Sequence, residues 1–434
     1  MPLSSLLNTI RPLGPRPVVR FDRRDVLLAL GMGLVAVIVS ILCMRTFSPL
    51  MQMMGDDVWY DADPIRVFYA MRDRLSEAQI RSSVHPLFSI FSLPPTRLLI
   101  IAGVDRFAAV LVTIGGTAFL TATMMTLAIR GLGLPRAATA LFALLMIASS
   151  SYLSYFGFVE TYAFSGLSVA VMLLATVAAP REQYWCWFLG SAASLSGTVT
   201  NWSLGLASLF FNLPLMRAIL IGVAGFAAVL ALATIQLYIF PHAQLFIIPA
   251  EISRETQAFS TASGDRTESY WSAASAIWSI WVGAIIANPA EVIRSSHQLM
   301  LNNQPIALGP TPLAQVIAIS GWLMLLAMAV HAGLKDAVRR PILLSVLAFL
   351  LCQTVLHLLY GRLTFLYAAH HMPALILLSA FAWFSTRRRI ALVLASITLV
   401  FGAYANVAQF RDASAKADVI IDGIAKAASA RSSK

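Results

Sequence analysis

Long apolar runs separated by short basic connectors dominate the chain. Runs near the length of about 20 residues that a bilayer needs fall at 26–46, 107–129, 137–154, 161–179, 184–200, 203–216, 218–240, 313–334, 342–360, 362–384 and 390–408. The pattern predicts eleven membrane-spanning helices. Two long loops interrupt it, at 47–106 and 241–312, and both fall on the same side of the membrane. In the first, His85 to Ile101 is apolar but broken by Pro86, Pro94 and Pro95. It reads as a juxtamembrane or re-entrant helix, because counting it as a span inverts the charge bias of the later connectors. The second carries Trp271, Trp278 and Trp281 at a spacing that puts them on one face of an interfacial helix, where indole rings prefer to sit. That helix is either an aromatic anchor or a lid over a lipid-linked substrate. No internal repeat is apparent, so 26–408 reads as one membrane domain between a tail at 1–25 and an Ala-rich amphipathic tail at 409–434.

Composition agrees with the pattern. With 59% hydrophobic and 12% charged residues, the chain is an all-α polytopic membrane protein, not a soluble domain. Cys43, Cys186 and Cys352 are scattered in apolar runs and imply neither a disulfide framework nor a metal site. The net charge of +11 is a matter of topology and not of nucleic acid, which is not expected as a partner. Five arginines precede the first span, and the connectors carrying Arg130 and Arg136, Arg181, Arg217, Lys335, Arg339 and Arg340, and Arg387 to Arg389 alternate to the same side. Together they hold fifteen of the 31 basic residues, and the two long loops hold twelve of the 20 acids. The positive-inside rule then makes the N-terminus cytoplasmic and the long loops and C-terminus external. No small-residue cleavage site follows the first run, so it reads as an uncleaved span.

Polar groups held at membrane depth are where chemistry is expected. Asp56, Asp57, Asp61 and Asp63 crowd into eight residues just beyond the first span. Like charges so close raise one another's pKa, so the cluster is either a solvated loop or a site. The amphipathic VFYAM patch and the SVHPLF segment favour a loop folded back onto the membrane. His85 is a proton carrier, a phosphate donor or a solvated loop residue. Glu160, in YFGFVETYAF, is an interfacial residue or a site carboxylate. Asn201, in Thr200-Asn201-Trp202, sits at a polar break between two short runs, or at a simple turn. Arg362 follows Tyr360-Gly361 on the outer side, where its planar fork suits phosphate. His370 and His371 lie further along the same run and, being adjacent, point to different faces.

These strings carry a resemblance. A first span leading into a long outer loop that opens with Asp-Asp, followed by many spans on short connectors, resembles the GT-C class of integral membrane glycosyltransferases. DADPIRVFYAMRDR, RSSVHPLF, FVETYAF and TFLYAAHHMPAL are similar to strings in bacterial members of that class. The resemblance implies a multi-pass protein of the bacterial inner (cytoplasmic) membrane that takes a polyprenyl-phosphate-linked sugar and passes it, with inversion, to an acceptor hydroxyl on a glycan, lipid or protein at the outer face. An aspartate of the first outer loop serves as base in that class, a role that falls on Asp56 or Asp57. Here Asp-Asp replaces the common Asp-Glu, and Asp61 and Asp63 form a further Asp-x-Asp. Some members use a divalent cation and others use none, so no cofactor is certain. Asp61, Asp63, Arg81, His85, Glu160, Asn201, Arg266, Arg362 and His370 are the substrate-binding candidates, with Arg81, Arg266 and Arg362 placed to steady the leaving phosphate. A rival expectation is a transporter or flippase for a lipid-linked or anionic substrate, with Glu160, Asn201 and His370 along its path. The absence of a repeat and the siting of most acids in the loops count against it.

Overall fold

A computed structural model describes residues 19–250, 272–294, 299–304, 312–361 and 363–432. The chain begins with α1 (Arg23–Thr46), opened by a reciprocal cap between Asp22 and Asp25. Its buried positions are small (Ala29, Gly33, Ala36, Ser40, Cys43), while Leu27, Leu34, Ile38 and Leu42 face outward. A soluble helix has the opposite pattern. Lipid removes the penalty on outward leucine, and small inward residues let helix backbones approach.

The first long loop folds as α2 (Pro49–Met54), α3 (Pro64–Arg72), a 3₁₀ turn (Glu77–Ser83) and α4 (Phe88–Ile101). The helix α4 spans 14 residues, holds Pro94 and Pro95 inside, buries Ser89, Ser92 and Thr96, and turns Phe91, Leu98 and Ile101 outward. Its exposed face is therefore apolar. Then come α5 (Arg106–Gly131), α6 (Arg136–Ile147), α7 (Ser150–Tyr155), α8 (Tyr162–Ala178), α9 (Tyr184–Gly197), α10 (Trp202–Asn212) and α11 (Leu215–Ile239). The second long loop contributes α12 (Ala273–Trp278), a π turn (Ser279–Gly283) and the antiparallel hairpin β1 (Glu291–Arg294) and β2 (Leu299–Asn302), with Glu291 opposite Asn302. The last elements are α13 (Leu313–Lys335), α14 (Arg340–Leu359), α15 (Ala368–Ala380, flanked by 3₁₀ turns) and α16 (Arg388–Ser432).

Among the described residues, seven helices are long and apolar enough to cross a membrane: α1, α5, α11, α13, α14, the segment Thr364–Phe384 around α15, and α16. The other four runs predicted as spans form shorter helices. The run 137–154 breaks at Ser149 into α6 and α7, α8 has 17 residues, and the 184–216 region divides at Thr198–Asn201 into helices of 14 and 11 residues. The predominantly helical membrane architecture stands, and these four runs, folded as five shorter helices, are what separates seven from eleven.

The segment around α15 is the axis, with 94% of its apolar window buried; α8, α14 and α6 pack around it. Beside it α1 packs on α5, α5 on α8, α8 on α9, and α13 on α16. The predicted last span and C-terminal tail are one unbroken helix of 45 residues, about 68 Å long at the usual rise. That is roughly twice the hydrocarbon thickness. The C-terminal half of α16 buries Phe410, Ala413, Ala417 and Ile421, and Phe410 meets Phe47 and Trp59 of the first loop. In the second loop Trp281 Nε1 donates to Thr354 Oγ1 at 3.0 Å and Trp278 Nε1 to Asn288 Oδ1 at 3.2 Å, so both indoles brace the bundle. Trp271 lies outside the described residues.

Candidate functional site

The acidic loop is fixed from below by aromatic packing and from the sides by backbone bonds. Trp59 Nε1 donates to Ser154 O at 3.1 Å, and Trp59 packs edge-on against Phe47. The amide of Gln52 bridges Gly157 O and Val159 N, and Leu301 N donates to Val58 O, joining the hairpin to the loop. So held, residues 57–62 close a tight turn in which Asp57 N donates to Ala62 O at 2.7 Å. Asp57, Tyr60 and Asp61 take left-handed backbone angles, φ 64°, 52° and 67°. Non-glycine residues there cost roughly 1–3 kcal/mol each and persist only where the surroundings over-determine them. Here Tyr60 is locked against Trp59 and Phe365.

The four aspartates divide by position. Asp56 turns away: its Oδ1 accepts Ile65 N–H at 2.8 Å, capping α3, and its Oδ2 lies 3.9 Å from Arg66 Nε. Burial, with the Asp63 and Asp57 charges adding to it, pushes its carboxyl up to about 6. Asp57, Asp61 and Asp63 line one polar cavity of about 80 Å³. Asp63, 7% exposed, pairs through Oδ1 with Arg66 at 2.6 Å and through Oδ2 with Arg81 at 3.3 Å.

Glu160 stands behind this pair in the turn before α8. It is 2% exposed, its Oε2 accepts Asp63 N–H at 2.7 Å, and its Oε1 accepts from Thr161 N and Thr161 Oγ1 at 2.6 and 2.8 Å. Burial and the neighbouring Asp63 carboxylate raise its pKa. His85 also lines the cavity. Its Nδ1 lies 2.9 Å from Gly197 O and 2.9 Å from Thr198 Oγ1, and its Nε2 lies 3.3 Å from Thr161 Oγ1. Burial, helped by the Arg81 charge, drives its pKa down to about 3, so the imidazole is neutral.

The far wall comes from α14, α15 and the turn between α9 and α10, through His357, Tyr360, Tyr367, His370, Thr198 and Thr200, with Tyr162 of α8 beside them. His370 is buried, and neither ring nitrogen has a partner among the described residues. His371 turns the other way, towards His357, at 5.3 Å between ring centroids. Asn201 is a brace: its Nδ2 donates to Ser165 O and Ser168 Oγ, and it does not line the cavity. Arg266 and Arg362 lie outside the described residues.

A second cavity, apolar and of about 690 Å³, runs between α4, α5, α8 and α9. Phe88, Leu98, Val112, Leu120, Phe164 and Val171 are among its walls. Phe91, Leu98 and Val112 are also exposed, so the cavity opens sideways to the protein surface through apolar side chains. The two cavities share a wall. Gly197 lines the apolar one while its carbonyl accepts from His85 in the polar one, and the next residue, Thr198, lines the polar one.

Sequence reasoning reaches Asp57, Asp61, Asp63, Arg81, His85, Glu160 and His370, and the fold gathers them. It does not single out Arg66, Tyr162, Thr198 or His357 as site residues, and Thr200 and Tyr367 enter it only as neighbours of Asn201 and His370. Arg66, three residues past Asp63, carries a usable signal, since that spacing on a helix favours an ion pair. Among the described residues no group of three or more His, Cys, Asp or Glu side chains is placed to hold a metal ion, and both oxygens of Asp63 face guanidinium groups. Comparison of the chain with family models, curated proteins and solved structures finds no match.

Proposed function

We propose that this protein is a membrane glycosyltransferase that moves a sugar from a polyprenyl-phosphate donor to an acceptor hydroxyl at the outer face of the bacterial inner membrane. The observation that carries the reading is the shared wall between a carboxylate- and arginine-lined polar cavity and an apolar cavity open to the protein surface. A polyprenyl chain lies in the apolar cavity and its phosphate-linked sugar turns past Gly197 into the polar one. Asp57 takes the proton of the acceptor hydroxyl as that oxygen bonds to the anomeric carbon. The bond from that carbon to the phosphate oxygen breaks on the opposite face, giving inversion. Arg66 and Arg81 stabilise the charge gathering on the departing phosphate, with Arg362 as a third candidate. Asp61 and His370 orient sugar hydroxyls. The proposed topology has eleven crossings, with the short helices α6–α7, α8, α9 and α10 counted as crossings and the N-terminus in the cytoplasm.

Two variants test this reading in vesicles supplied with radiolabelled polyprenyl-phosphate sugars. Asp57→Asn removes the proton acceptor and lowers turnover by about 100-fold or more, with donor binding little changed. Gly116 lines the apolar cavity, and a Cβ there meets nothing within 4 Å. Gly116→Leu therefore has room at its Cβ, projects its side chain into the groove and weakens donor binding. Full transfer by both variants overturns the assignment. Movement of a labelled polyprenyl-phosphate sugar across the bilayer with no transfer product favours the flippase alternative.

A further inference from the structure

Glu160, Thr161 and His85 pose a question of proton inventory that their geometry answers. His85 Nδ1 lies 2.9 Å from both Gly197 O, which can only accept, and Thr198 Oγ1, which can accept as well, so a ring proton on that nitrogen satisfies both contacts. A neutral His85 then presents a lone pair at Nε2, 3.3 Å from Thr161 Oγ1. Thr161 has a single hydroxyl hydrogen, and its oxygen also lies 2.8 Å from Glu160 Oε1. With Glu160 ionised, that hydrogen goes to the carboxylate and two lone pairs face each other across the His85 contact. One added proton removes the conflict. Placed on Glu160 Oε1, it is donated to Thr161 Oγ1, and the threonine hydrogen turns to His85 Nε2.

The alternative location for that proton, on His85, would put a cation near Arg81 and leave Glu160 charged beside Asp63. The groups facing Glu160 are Asp63, with its partners Arg66 and Arg81, Tyr155 of α7, Tyr162 of α8, and His85. Arg66 and Arg81 are already committed to the Asp63 charge.

We propose that Glu160 works as a neutral carboxylic acid, closing a Glu160–Thr161–His85 hydrogen-bond relay, and that the site holds a lipid phosphate well only in that state. The second half rests on the glycosyltransferase reading; the first does not. Ionising Glu160 sets a second buried carboxylate against Asp63, and the pair then competes with the phosphate for Arg66 and Arg81. Glu160 is thus a positioning residue that imposes an alkaline limit on phosphate binding.

Two measurements on the full chain in lipid test this. Infrared spectra at neutral pH should show the carbonyl band of a protonated carboxylic acid that is absent in Glu160→Gln and vanishes on alkaline titration. Thr161→Val removes the acceptor of the acid proton, so the band should vanish at lower pH, while Thr161→Ser leaves its titration in place. A Thr161→Val shift to higher pH, or no Glu160-dependent band at neutral pH, overturns the relay even if Glu160→Gln fails to fold. Separately, affinity for a short polyprenyl phosphate should fall by about tenfold through the same transition, a change of about 1.4 kcal/mol, and Glu160→Gln should lose that fall. If the relay titrates as stated and polyprenyl phosphate binds at no pH, the glycosyltransferase reading fails and the relay stands. If it binds with no Glu160-dependent fall, the coupling to phosphate is wrong.

Discussion

Asp56 and Asp57 are adjacent, yet the turn sends them to different tasks. Asp56 Oδ1 takes up the Ile65 N–H at the start of α3, while Asp57, in a left-handed conformation, lines the polar cavity. The carboxyl of Asp56, pushed up to about 6 by burial, gives this division a thermodynamic signature. An unfolded aspartic acid releases its proton near pH 3.9, so between about pH 4 and 6 the folded protein holds a proton that the unfolded chain has lost. The contribution of Asp56 to stability is therefore fully present below that range and is lost as pH rises through it. His85 slopes the other way: its folded pKa is near 3, and the unfolded histidine takes up a proton below about 6.5, so its contribution is lost on acidification. The two oppose each other in the raw profile, and only a paired comparison isolates either. Asp56→Asn keeps an acceptor for Ile65 N–H but cannot titrate. Thermal unfolding in detergent from pH 4 to 7 should show wild type losing ground to Asp56→Asn as pH rises. A pH-independent difference would refute the buried, raised Asp56.

At the scale of elements, the helices are held by small residues that face one another. A Cβ on Gly33 of α1 would meet Thr123 Oγ1 at 2.5 Å and the Phe119 ring at 2.8 Å, both on α5; a Cβ on Gly31 meets nothing within 4 Å. Gly33→Val should force α1 from α5 and destabilise by about 1–3 kcal/mol. Gly31→Ala should be neutral, or stabilise by up to about 1 kcal/mol through helix propensity. Equal unfolding temperatures for the two variants would remove the α1–α5 seam. This seam also marks the limit of what the sequence discloses. Hydropathy locates the long helices because a bilayer demands length and apolar character. It is blind to which side of α1 faces protein, since both sides are apolar and only residue size separates them. It also runs α9 and α10 out to Thr200 and Met216, where the chain leaves helical geometry at Gly197 and Asn212. The site shows the same divide. Asp57, Asp63, Arg81, His85 and Glu160 are legible because charge beside an apolar run is costly without a use. Tyr162, Thr198, Thr200 and Tyr367 are ordinary residues within apolar helices and turns, and only the packing of α8, α9 and α15 brings them together.

At the scale of the whole molecule, the polar cavity lies at one end and a set of paired arginines at the other. At the far end Asp25, at the start of α1, takes Arg130 Nε at 2.9 Å and Arg136 Nε at 2.8 Å on one carboxylate oxygen, and Asp22 pairs with Arg136. Arg339 donates to Leu132 O at 2.7 Å and pairs with Asp336, tying the α13–α14 connector to the same end. Through these partners the arginines tie helix ends together. In the proposed topology their unequal distribution orients the protein, since the positive-inside rule puts basic connectors in the cytoplasm. Orientation then follows for every element, since the polar cavity lies at the opposite ends of α1, α9 and α14. The consequence is checkable without any substrate. In a variant lacking Cys43, Cys186 and Cys352, a cysteine replaces either Arg74, exposed beside the polar cavity end, or Glu182, exposed in the connector before α9. A membrane-impermeant thiol reagent added to intact cells should label Arg74→Cys and spare Glu182→Cys until the membrane is broken. The reverse result would turn the cavity to the cytoplasm, where an outer-face transfer from a polyprenyl-phosphate sugar has no place. Labelling of both from outside would break the odd number of crossings between the two positions on which the eleven-span topology depends.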